Sequence, residues 1–288
     1  MDSSKRRVYV TDLDGTLLGE DARLSDRTRS GLVTLLESGL MLTVASARSV
    51  VAMQSILAGL RLPLPVIEFN GAFISDLGTG RHLVTSALDT ELAVAAYELI
   101  HAAGCVPFVS SFDGEFDRLH YSEISNPGMK WYLDDRLSNN DRRLSKTADL
   151  SSSLSEQVVC LTVIDRPEVV EELRAALVER FDGRLSVRQF SNEYFGGWDW
   201  LTIHDVRATK DRALATLLDA RDLGGVEVVA FGDSDNDVPL FRFADRGIAV
   251  ANASAELKLL AAEVIGPSSE DSIVGFLERE WRLRNGLL

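Results

Sequence analysis

The sequence predicts an α/β protein in which a parallel sheet core is interrupted by an inserted α+β domain. Strand-like apolar runs alternate with helix-like segments from residue 8 to residue 69 and again after residue 209. That alternation is typical of a parallel sheet covered on both faces. Between the two stretches it gives way to short aromatic and β-branched pieces. The strand-like runs of the first stretch end in polar residues, at the edge where open α/β sheets bind ligands.

The first stretch predicts three strands and two helices, followed by a hairpin. Ser25 or Asp26 is placed to cap the first helix and Gly39 to end it. We expect strands at 8–11, 40–45 and 66–69, a second helix near 49–59, and a hairpin with central glycines at 73–84. The three strands deliver Asp12, Ser46 and Asn70 at their carboxyl ends.

The middle stretch is less regular, and the α/β alternation resumes after it. We expect helices at 89–103, 129–137 and 166–181 and strands at 157–165, 185–190 and 198–204, then a helix at 209–223, strands at 226–231 and 247–252, and helices that begin at Ser254 and Glu270. The sheet domain is therefore discontinuous. The boundaries that we expect are a Rossmann-like core at 1–82 and 206–288, with the insert at 83–205.

Composition narrows the classes of partner. The chain of 288 residues has 45% apolar residues, enough for a sizeable core, and a net charge of −14. Because no basic stripe could displace counterions from a phosphate backbone, nucleic acid is not an expected partner. An anionic substrate would need a metal ion and a few placed Lys or Arg side chains. The two cysteines, Cys105 and Cys160, are expected to be buried small residues.

The sequence predicts a cytoplasmic protein that does not enter a membrane. The basic start MDSSKRR leads directly into the first strand and not into a signal-type apolar stretch. No apolar run approaches the roughly 18 residues of a membrane span.

Two acidic clusters, each at the end of an apolar strand, are the most informative motifs. In VYVTDLDGTLL, Asp12 and Asp14 are two residues apart, and since residues i and i+2 of a strand face the same way, we expect both side chains to converge at the exit of the strand. GDSDND at 232–237 follows the strand at 226–231. A DxD alone is weak because Asp commonly ends strands. Two such clusters together indicate one shared cation, a magnesium ion, next to a carboxylate that attacks a phosphoryl group.

In order along the chain, DLDGT, Ser46 after a strand, Lys210 at the start of a helix, and GDSDND resemble the four motifs of the haloacid dehalogenase superfamily. The insert between the second and third motifs resembles the large α/β cap of the Cof-like subgroup, mostly sugar-phosphate phosphatases. NGAFI at 70–74 and the WLTIHDVRATK approach to Lys210 are also similar to that subgroup.

The resemblance implies a role for each motif residue. Asp12 would be the nucleophile that forms an aspartyl-phosphate, and Asp14 the general acid and base. Magnesium would be held by Asp12, the backbone carbonyl of Asp14, and Asp233, with Asp237 orienting the site. The groups expected to bind the phosphoryl oxygens are Ser46, Lys210, Asn236 and the amides of Leu13 and Ala47. The substrate would be a small phosphorylated metabolite bound by a monomer or homodimer.

Several positions depart from the family pattern or leave alternatives open. Ala47 and Asp211 stand where the family usually has glycine. Arg48 could contact a phosphate or a carboxylate of the cap, or form a structural salt bridge, and Asn70 is a further possible substrate contact. The four histidines lack ligand spacing. The aromatic residues Tyr194, Phe195, Trp198 and Trp200 could serve core packing, dimer packing or the substrate rim.

Other functions fit less well. An EF-hand reading of DSDND fails because Val238 stands where the loop requires glycine and Ala244 where it requires glutamate. A DxD glycosyltransferase would not explain Lys210, and a dehalogenase should lack the Asp14 carboxylate. A phosphosugar mutase of the same superfamily would keep every catalytic residue, and a non-catalytic phospholigand sensor should have lost one. We therefore expect a phosphatase whose substrate the sequence does not identify.

Overall fold

The computed structural model describes residues 6–191 and 195–286. Its chain divides into two compact units, Met1–Val84 with Thr209–Leu288, and Thr85–Ala208. These divisions fall slightly later in the sequence than the expected ones at 82/83 and 205/206. The first unit contains a parallel sheet and the second a separate mixed sheet, so the predicted α/β fold class is confirmed.

The described elements, in chain order, are β1 (Arg7–Thr11), α1 (Asp26–Glu37), β2 (Leu42–Val44), α2 (Val50–Ile56), β3 (Val66–Glu68), β4 (Phe73–Ser75), β5 (His82–Thr85), α3 (Thr90–Ala102), β6 (Phe108–Phe112), β7 (Asp117–Tyr121), α4 (Pro127–Ser138), β8 (Leu144–Lys146), β9 (Gln157–Asp165), α5 (Pro167–Phe181), β10 (Leu185–Ser191), β11 (Asp199–Asp205), α6 (Lys210–Ala220), β12 (Glu227–Gly232), α7 (Val238–Phe243), β13 (Arg246–Ala249), α8 (Ala255–Leu260), β14 (Glu263–Val264) and α9 (Ser272–Arg284).

The first unit is built on a five-stranded parallel sheet in the order β14-β13-β12-β1-β2. A single bridge between Ala45 and Ile67 extends it toward β3, which also pairs antiparallel with β4. Strand β1 is buried along its whole length, as a central strand with helices on both faces must be. Parallel pairing brings the carboxyl ends of β12, β1 and β2 to one edge, and the loops that carry the motifs leave from that edge.

Local sequence signals set the helix starts in this unit. The Ser25 side chain accepts a hydrogen bond from the Thr28 amide and begins α1, as predicted. Ser49 and Ser254 cap α2 and α8 in the same way. The last helix begins at Ser272, slightly after the expected Glu270. The short edge strand β14 was not predicted, because two residues carry too little periodicity to recognise.

The second unit has a six-stranded sheet in the order β10-β11-β9-β6-β7-β8, antiparallel except between β7 and β8. One face packs against α3 and α5 through alternate residues such as Leu161 and Val163. The opposite face packs against α4. Strands β6, β7 and β8 lie in the stretch that could not be assigned from sequence, where polar residues interrupt the alternation.

The predicted aromatic cluster lies largely inside this second unit. The Trp131 ring of α4 stacks on Phe195 with centroids 5.9 Å apart and meets Trp200 edge to face at 6.0 Å. Trp198 and Trp200 are buried, which fits the packing interpretation. Tyr194 lies outside the described residues. Cys105 and Cys160 are both buried free thiols, as expected.

Each helix within residues 6–191 and 195–286 is too short or too polar to cross a bilayer.

Candidate active site

The first motif lies beyond the end of strand β1, so strand alternation does not set the directions of its side chains. Strand β1 ends at Thr11, and the chain turns through Leu13–Leu17, with the Leu18 amide bonded to the Leu13 carbonyl at 2.9 Å. Asp14 is therefore not part of the strand, and its position relative to Asp12 is set by the turn. The Asp12 side chain is buried, whereas the Asp14 side chain is 44% exposed. The two carboxyl groups thus lie in different environments.

Gly15 allows this turn to approach the second acidic cluster. Its φ is +69°, and a Cβ atom there would lie 2.4 Å from Asp233 Oδ2. Thr16, the next residue, donates its hydroxyl hydrogen to Asp233 Oδ1 at 2.8 Å. The Asn252 side chain donates to the Gly15 carbonyl at 2.7 Å. Only a residue without a side chain fits so close to Asp233.

Lys210 joins the two acidic clusters. Its ammonium group is buried and donates to Asp12 Oδ1 at 2.8 Å and to Asp237 Oδ1 at 2.7 Å. Burial alone would lower the pKa of Lys210, but Asp12 and Asp237 together raise it above its usual value. The lysine therefore stays charged and holds one oxygen of each carboxylate.

The remaining carboxylate oxygens distinguish Asp237 from Asp12. The second oxygen of Asp237 accepts from the backbone amides of Asp233 and Ser234, at 3.1 and 3.3 Å, so both its oxygens are engaged. No hydrogen bond from the described residues reaches Asp12 Oδ2. Asp237 is thus suited to orient its neighbours.

Asp12, Asp233 and Asp237 place carboxylate oxygens within 4.8 Å of one another, as a metal site requires. Burial raises the pKa of the Asp12 carboxyl to about 8, and the Asp237 carboxylate adds to the rise while Lys210 opposes it. Burial and then Asp237 raise the pKa of Asp233 to about 6. Crowded carboxylates that resist ionisation near one lysine are chemically matched to a hard divalent cation. The residues present therefore fit a divalent metal ion.

The second motif lies at the end of β2, against the turn after β3. The Ser46 amide donates to the Ile67 carbonyl at 2.9 Å, and the Ser46 carbonyl accepts from the Asn70 amide at 2.9 Å. Ser46 is buried and Ala47 is exposed. Asn236, from the fourth motif, donates its side-chain amide to Asn70 Oδ1 at 3.2 Å. The second and fourth motifs thus meet at Asn70, the second through the Ser46 backbone and the fourth through the Asn236 side chain.

Arg48 forms a bidentate ion pair with Asp14, its Nε and Nη2 donating to the two carboxylate oxygens at 2.7 and 2.6 Å. The pair is partly exposed, with side-chain exposures of 29% and 44%. The sequence suggested that Arg48 contacts a phosphate, a carboxylate of the cap or a structural salt-bridge partner, but it did not single out Asp14. The pairing arises because the loops after β1 and β2 leave neighbouring strands at the same level.

The departures from the family pattern leave the described arrangement intact. Asp211 lies in the first turn of α6, as expected, and its Oδ1 is buried with no hydrogen-bond partner among residues 6–191 and 195–286. Sequence reasoning missed Thr16, Asn252 and Gly71 as parts of the site. Gly71 has a φ of +117° and packs against the backbone of Thr209, the residue before Lys210. The NG dipeptide was a signal for that turn, but its contact with the third motif was not visible in the sequence.

The fold and the site define a class of enzyme: a hydrolase with a lysine-bridged carboxylate centre at the carboxyl edge of a parallel sheet. The family model described as haloacid dehalogenase-like hydrolase matches residues 9–277, and the chain belongs to this family. The predicted membership of its Cof-like subgroup is confirmed.

Relatives resemble the chain over nearly its whole length. It is 23% identical to the 5-amino-6-(5-phospho-D-ribitylamino)uracil phosphatase YitU of Bacillus subtilis, with 97% of this chain and 99% of that protein covered. It is 26% identical to the pyridoxal phosphate phosphatase YbhA of Escherichia coli, with 94% and 97% covered.

A solved haloacid dehalogenase-like hydrolase from Bacteroides thetaiotaomicron has the same fold, with a TM-score of 0.78 and 23% identity, over 96% of this chain and 99% of that one. The family and the names of its members confirm the prediction of an enzyme, a phosphatase that hydrolyses phosphoric monoesters.

Proposed function

We propose that the protein is a magnesium-dependent phosphatase of small phosphorylated metabolites, with sugar phosphates as the expected substrates. The observation that carries the proposal is the buried Asp12 carboxylate, which Lys210 holds by one oxygen beside Asp233 and Asp237. Nucleophilic attack needs a fixed carboxylate with an available oxygen, and Asp12 Oδ2 meets that need. The names of the relatives support phosphate monoesters as the substrate class.

In the proposed mechanism, Asp12 is the nucleophile. Its ionised carboxylate, which neighbouring positive charge favours, attacks phosphorus and forms an aspartyl-phosphate. Magnesium held by Asp12, the backbone carbonyl of Asp14, and Asp233 would supply positive charge against the phosphoryl oxygens and the carboxylates. Lys210 contributes a further positive charge, and Asp237 keeps the lysine in place.

Asp14 is the proposed acid and base. It would donate a proton to the leaving oxygen and then take one from the water that cleaves the aspartyl-phosphate. Because Arg48 holds both its carboxylate oxygens, Asp14 must be released first. An incoming phosphate dianion competes for the same guanidinium group. The proposed role of Arg48 is therefore to exchange Asp14 for the substrate.

The remaining polar groups would bind the phosphoryl oxygens. Ser46, the amides of Leu13 and Ala47, and Asn236 are the proposed donors, with Asn70 fixing Asn236 through its side chain. Such donors act by electrostatic preorganisation, because phosphoryl transfer is catalysed mainly by positioning. We also propose that Thr85–Ala208 is the cap that selects the substrate. The cytoplasmic location and the oligomeric state stay predictions.

A phosphate-release assay tests the proposal. The panel contains phosphorylated sugars, nucleotides, a ribityl phosphate and pyridoxal phosphate, each measured with magnesium and with EDTA. We expect release that requires magnesium and is strongest for one group of monoesters. Asp12→Asn should abolish it, and equal rates of aryl phosphate hydrolysis by that variant and the wild type would refute the mechanism. Sugar isomerisation without phosphate release would identify a mutase, and binding without turnover a sensor.

A further inference from the structure

The end of strand β3 carries a buried carboxylate that the proposed mechanism does not use. Glu68 has no exposed surface and lies directly before Phe69, Asn70 and Gly71. An ionised or polar group without solvent is retained only where hydrogen bonds satisfy it. The residues that bind the Glu68 carboxylate therefore show which segments it connects.

Three donors surround the Glu68 carboxylate. Oε2 accepts the backbone N–H of Val50, the first residue of helix α2. Oε1 accepts the Ser75 hydroxyl of strand β4, and His82 Nδ1 of strand β5 lies 3.1 Å from the same oxygen. His82 Nδ1 is also 2.7 Å from Ser75 Oγ.

The hydrogens of this cluster can be assigned by counting donors. The Ser75 hydroxyl has one hydrogen, which it gives to Glu68, so the short contact between Ser75 and His82 requires the hydrogen on His82 Nδ1. The His82 ring is fixed by stacking on Phe73, with centroids 3.8 Å apart. The β4–β5 hairpin thus binds the Glu68 carboxylate on one side, and the Val50 N–H at the start of helix α2 binds it on the other.

The segment that precedes Val50 carries two of the proposed phosphate donors, Ser46 and the Ala47 amide. It runs from Ser46 to Ser49, and the end of β3 and the two residues that follow it bind the segment at successive points. The Ile67 carbonyl accepts from Ser46, the Asn70 amide donates to Ser46, and the Phe69 amide donates to the Arg48 carbonyl at 3.2 Å. Glu68 supplies the remaining contact of this series, at the point where the segment enters α2.

We propose that Glu68 is a positioning residue that fixes the Ser46–Ser49 segment, and with it the phosphate-binding donors, by accepting the Val50 N–H. The inference rests on the proposed function, because it explains how that function's binding groups are held in place. Its acceptor oxygen, rather than its charge, makes the contact. A displacement of about 1 Å in such a segment can cost about 100-fold in rate, even where no reacting atom is touched.

The test compares Glu68→Ala with Glu68→Gln. The alanine variant removes the acceptor of Val50, so we expect kcat/KM for an aryl phosphate to fall about 10- to 100-fold and the Kd of inorganic phosphate, from calorimetry, to rise about tenfold. The glutamine variant would retain a carbonyl oxygen for Val50 and can turn its amide toward Ser75 Oγ, with the Ser75 hydroxyl then donating to His82 Nδ1 and the ring hydrogen moving to Nε2. We therefore expect Glu68→Gln to keep both values within about threefold of wild type.

Glu280→Ala is the control for general destabilisation. Glu280 is a mostly buried carboxylate of the same unit that pairs with Arg7 and Arg246, away from the Ser46–Ser49 segment. We expect it to lower the Tm while leaving phosphate affinity unchanged. If Glu68→Ala does not fold, Ser75→Ala provides the test, because it loosens the Glu68 carboxylate without removing the Val50 acceptor, and it should weaken phosphate binding to a smaller extent.

The inference is overturned if the folded Glu68→Ala protein, or Ser75→Ala in its place, keeps wild-type phosphate affinity and kcat. It is also overturned if Glu280→Ala weakens phosphate binding equally. A wild-type protein that binds phosphate but releases none from any ester refutes the proposed function alone, and the calorimetric comparison still decides the role of Glu68. A wild-type protein that neither binds nor hydrolyses refutes both.

Discussion

Replacing Lys210 with methionine should separate the electrostatic role of this residue from its packing. Methionine retains a flexible apolar chain of similar length but no charge. The lysine is 1% exposed, and its two hydrogen bonds of 2.8 and 2.7 Å hold Asp12 and Asp237. Its removal leaves both carboxylates buried without that counter-charge.

The expected loss of stability follows from this geometry. Breaking a buried ion pair by removing one partner costs about 3–5 kcal/mol, because the remaining charge is uncompensated. Two carboxylates are affected here, but the Asp12 carboxyl, with its pKa already raised to about 8 by burial, can take up a proton and limit the penalty. We therefore expect a loss of about 3–5 kcal/mol at about pH 10 and a smaller loss at pH 8.

The sign of that pH dependence can be worked out. In the variant the folded-state pKa of Asp12 rises further, since Lys210 lowers it in the wild type. Between about pH 8 and that higher pKa, the folded variant holds a proton that the folded wild type has lost, so the stability difference between the two proteins shrinks as the pH falls toward 8. Magnesium should also raise the Tm of Lys210→Met more than that of the wild type, because the site has one positive charge fewer.

Urea unfolding at the two pH values measures this prediction, with Lys130→Met as the matched control. Lys130 is 68% exposed and pairs with Asp134 on the surface, so its removal should change stability by less than about 0.5 kcal/mol. Phosphatase activity of Lys210→Met should fall about 100- to 1,000-fold, the usual effect of losing one preorganised donor. A variant within about 1 kcal/mol of wild type at about pH 10, or with more than a tenth of its activity, would refute the reasoning.

Three other substitutions test further parts of the molecule. Arg48→Ala releases Asp14 from its bidentate pair, and we expect KM to rise about tenfold with little change in stability, because the pair is partly exposed. Gly71→Ala places a Cβ 2.4 Å from the Thr209 carbonyl oxygen at a φ of +117°, so urea unfolding should show a loss of about 2–5 kcal/mol. His204→Asn tests acid sensitivity: burial lowers the pKa of this histidine from 6.5 to about 4, so the unfolded chain takes up the proton first as the pH falls. Between pH 6.5 and about pH 4 the wild type should lose about 3 kcal/mol of folding stability, and the variant should not.

Each of these substitutions has a control and a contradicting result. Arg48→Lys keeps a charge but not the bidentate geometry, and an unchanged KM in Arg48→Ala would argue against exchange with substrate. Gly39 has a φ of +98° with open space around it, so Gly39→Ala isolates backbone strain, and an equal loss there would exclude the clash at Gly71. His101 is exposed, so His101→Asn serves as the reference for His204→Asn. If the free energy of unfolding changes with pH in the same way in the wild type and in His204→Asn, His204 is excluded as the acid-sensitive group.

Sequence patterns predicted the core of the fold because its strands are buried and regular. The alternation of β1, α1, β2 and α2 follows from apolar period and capping residues, both of which are local. The sheet of the second unit was only partly predicted, since β6, β7 and β8 are short and contain polar residues. Their strand character depends on pairing, of β6 with the distant β9, of β7 with β6 and of β8 with β7, and a local window of sequence does not contain these contacts.

The same distinction applies to the site. Asp12, Ser46, Lys210 and Asp233 could be named because each belongs to a local motif at the end of a strand or the start of a helix. The pair of Arg48 with Asp14 could not, because it depends on two loops meeting after the chain has folded. Strand alternation also predicted that the Asp12 and Asp14 side chains lie on the same side, but the strand ends at Thr11 and a glycine turn sets the position of Asp14 instead.

The register of the parallel sheet explains why motifs far apart in sequence form one centre. Thr11 is the last residue of β1 and pairs with Phe231 of β12, and the Asp12 amide donates to the Phe231 carbonyl at 3.1 Å. On its other side Thr11 pairs with Val44 of β2, just before the Ser46 segment. The three loops therefore leave the sheet at one level. A slip of one residue would reverse the faces of the buried β12 side chains, so core packing and the alignment of the site are fixed by the same register.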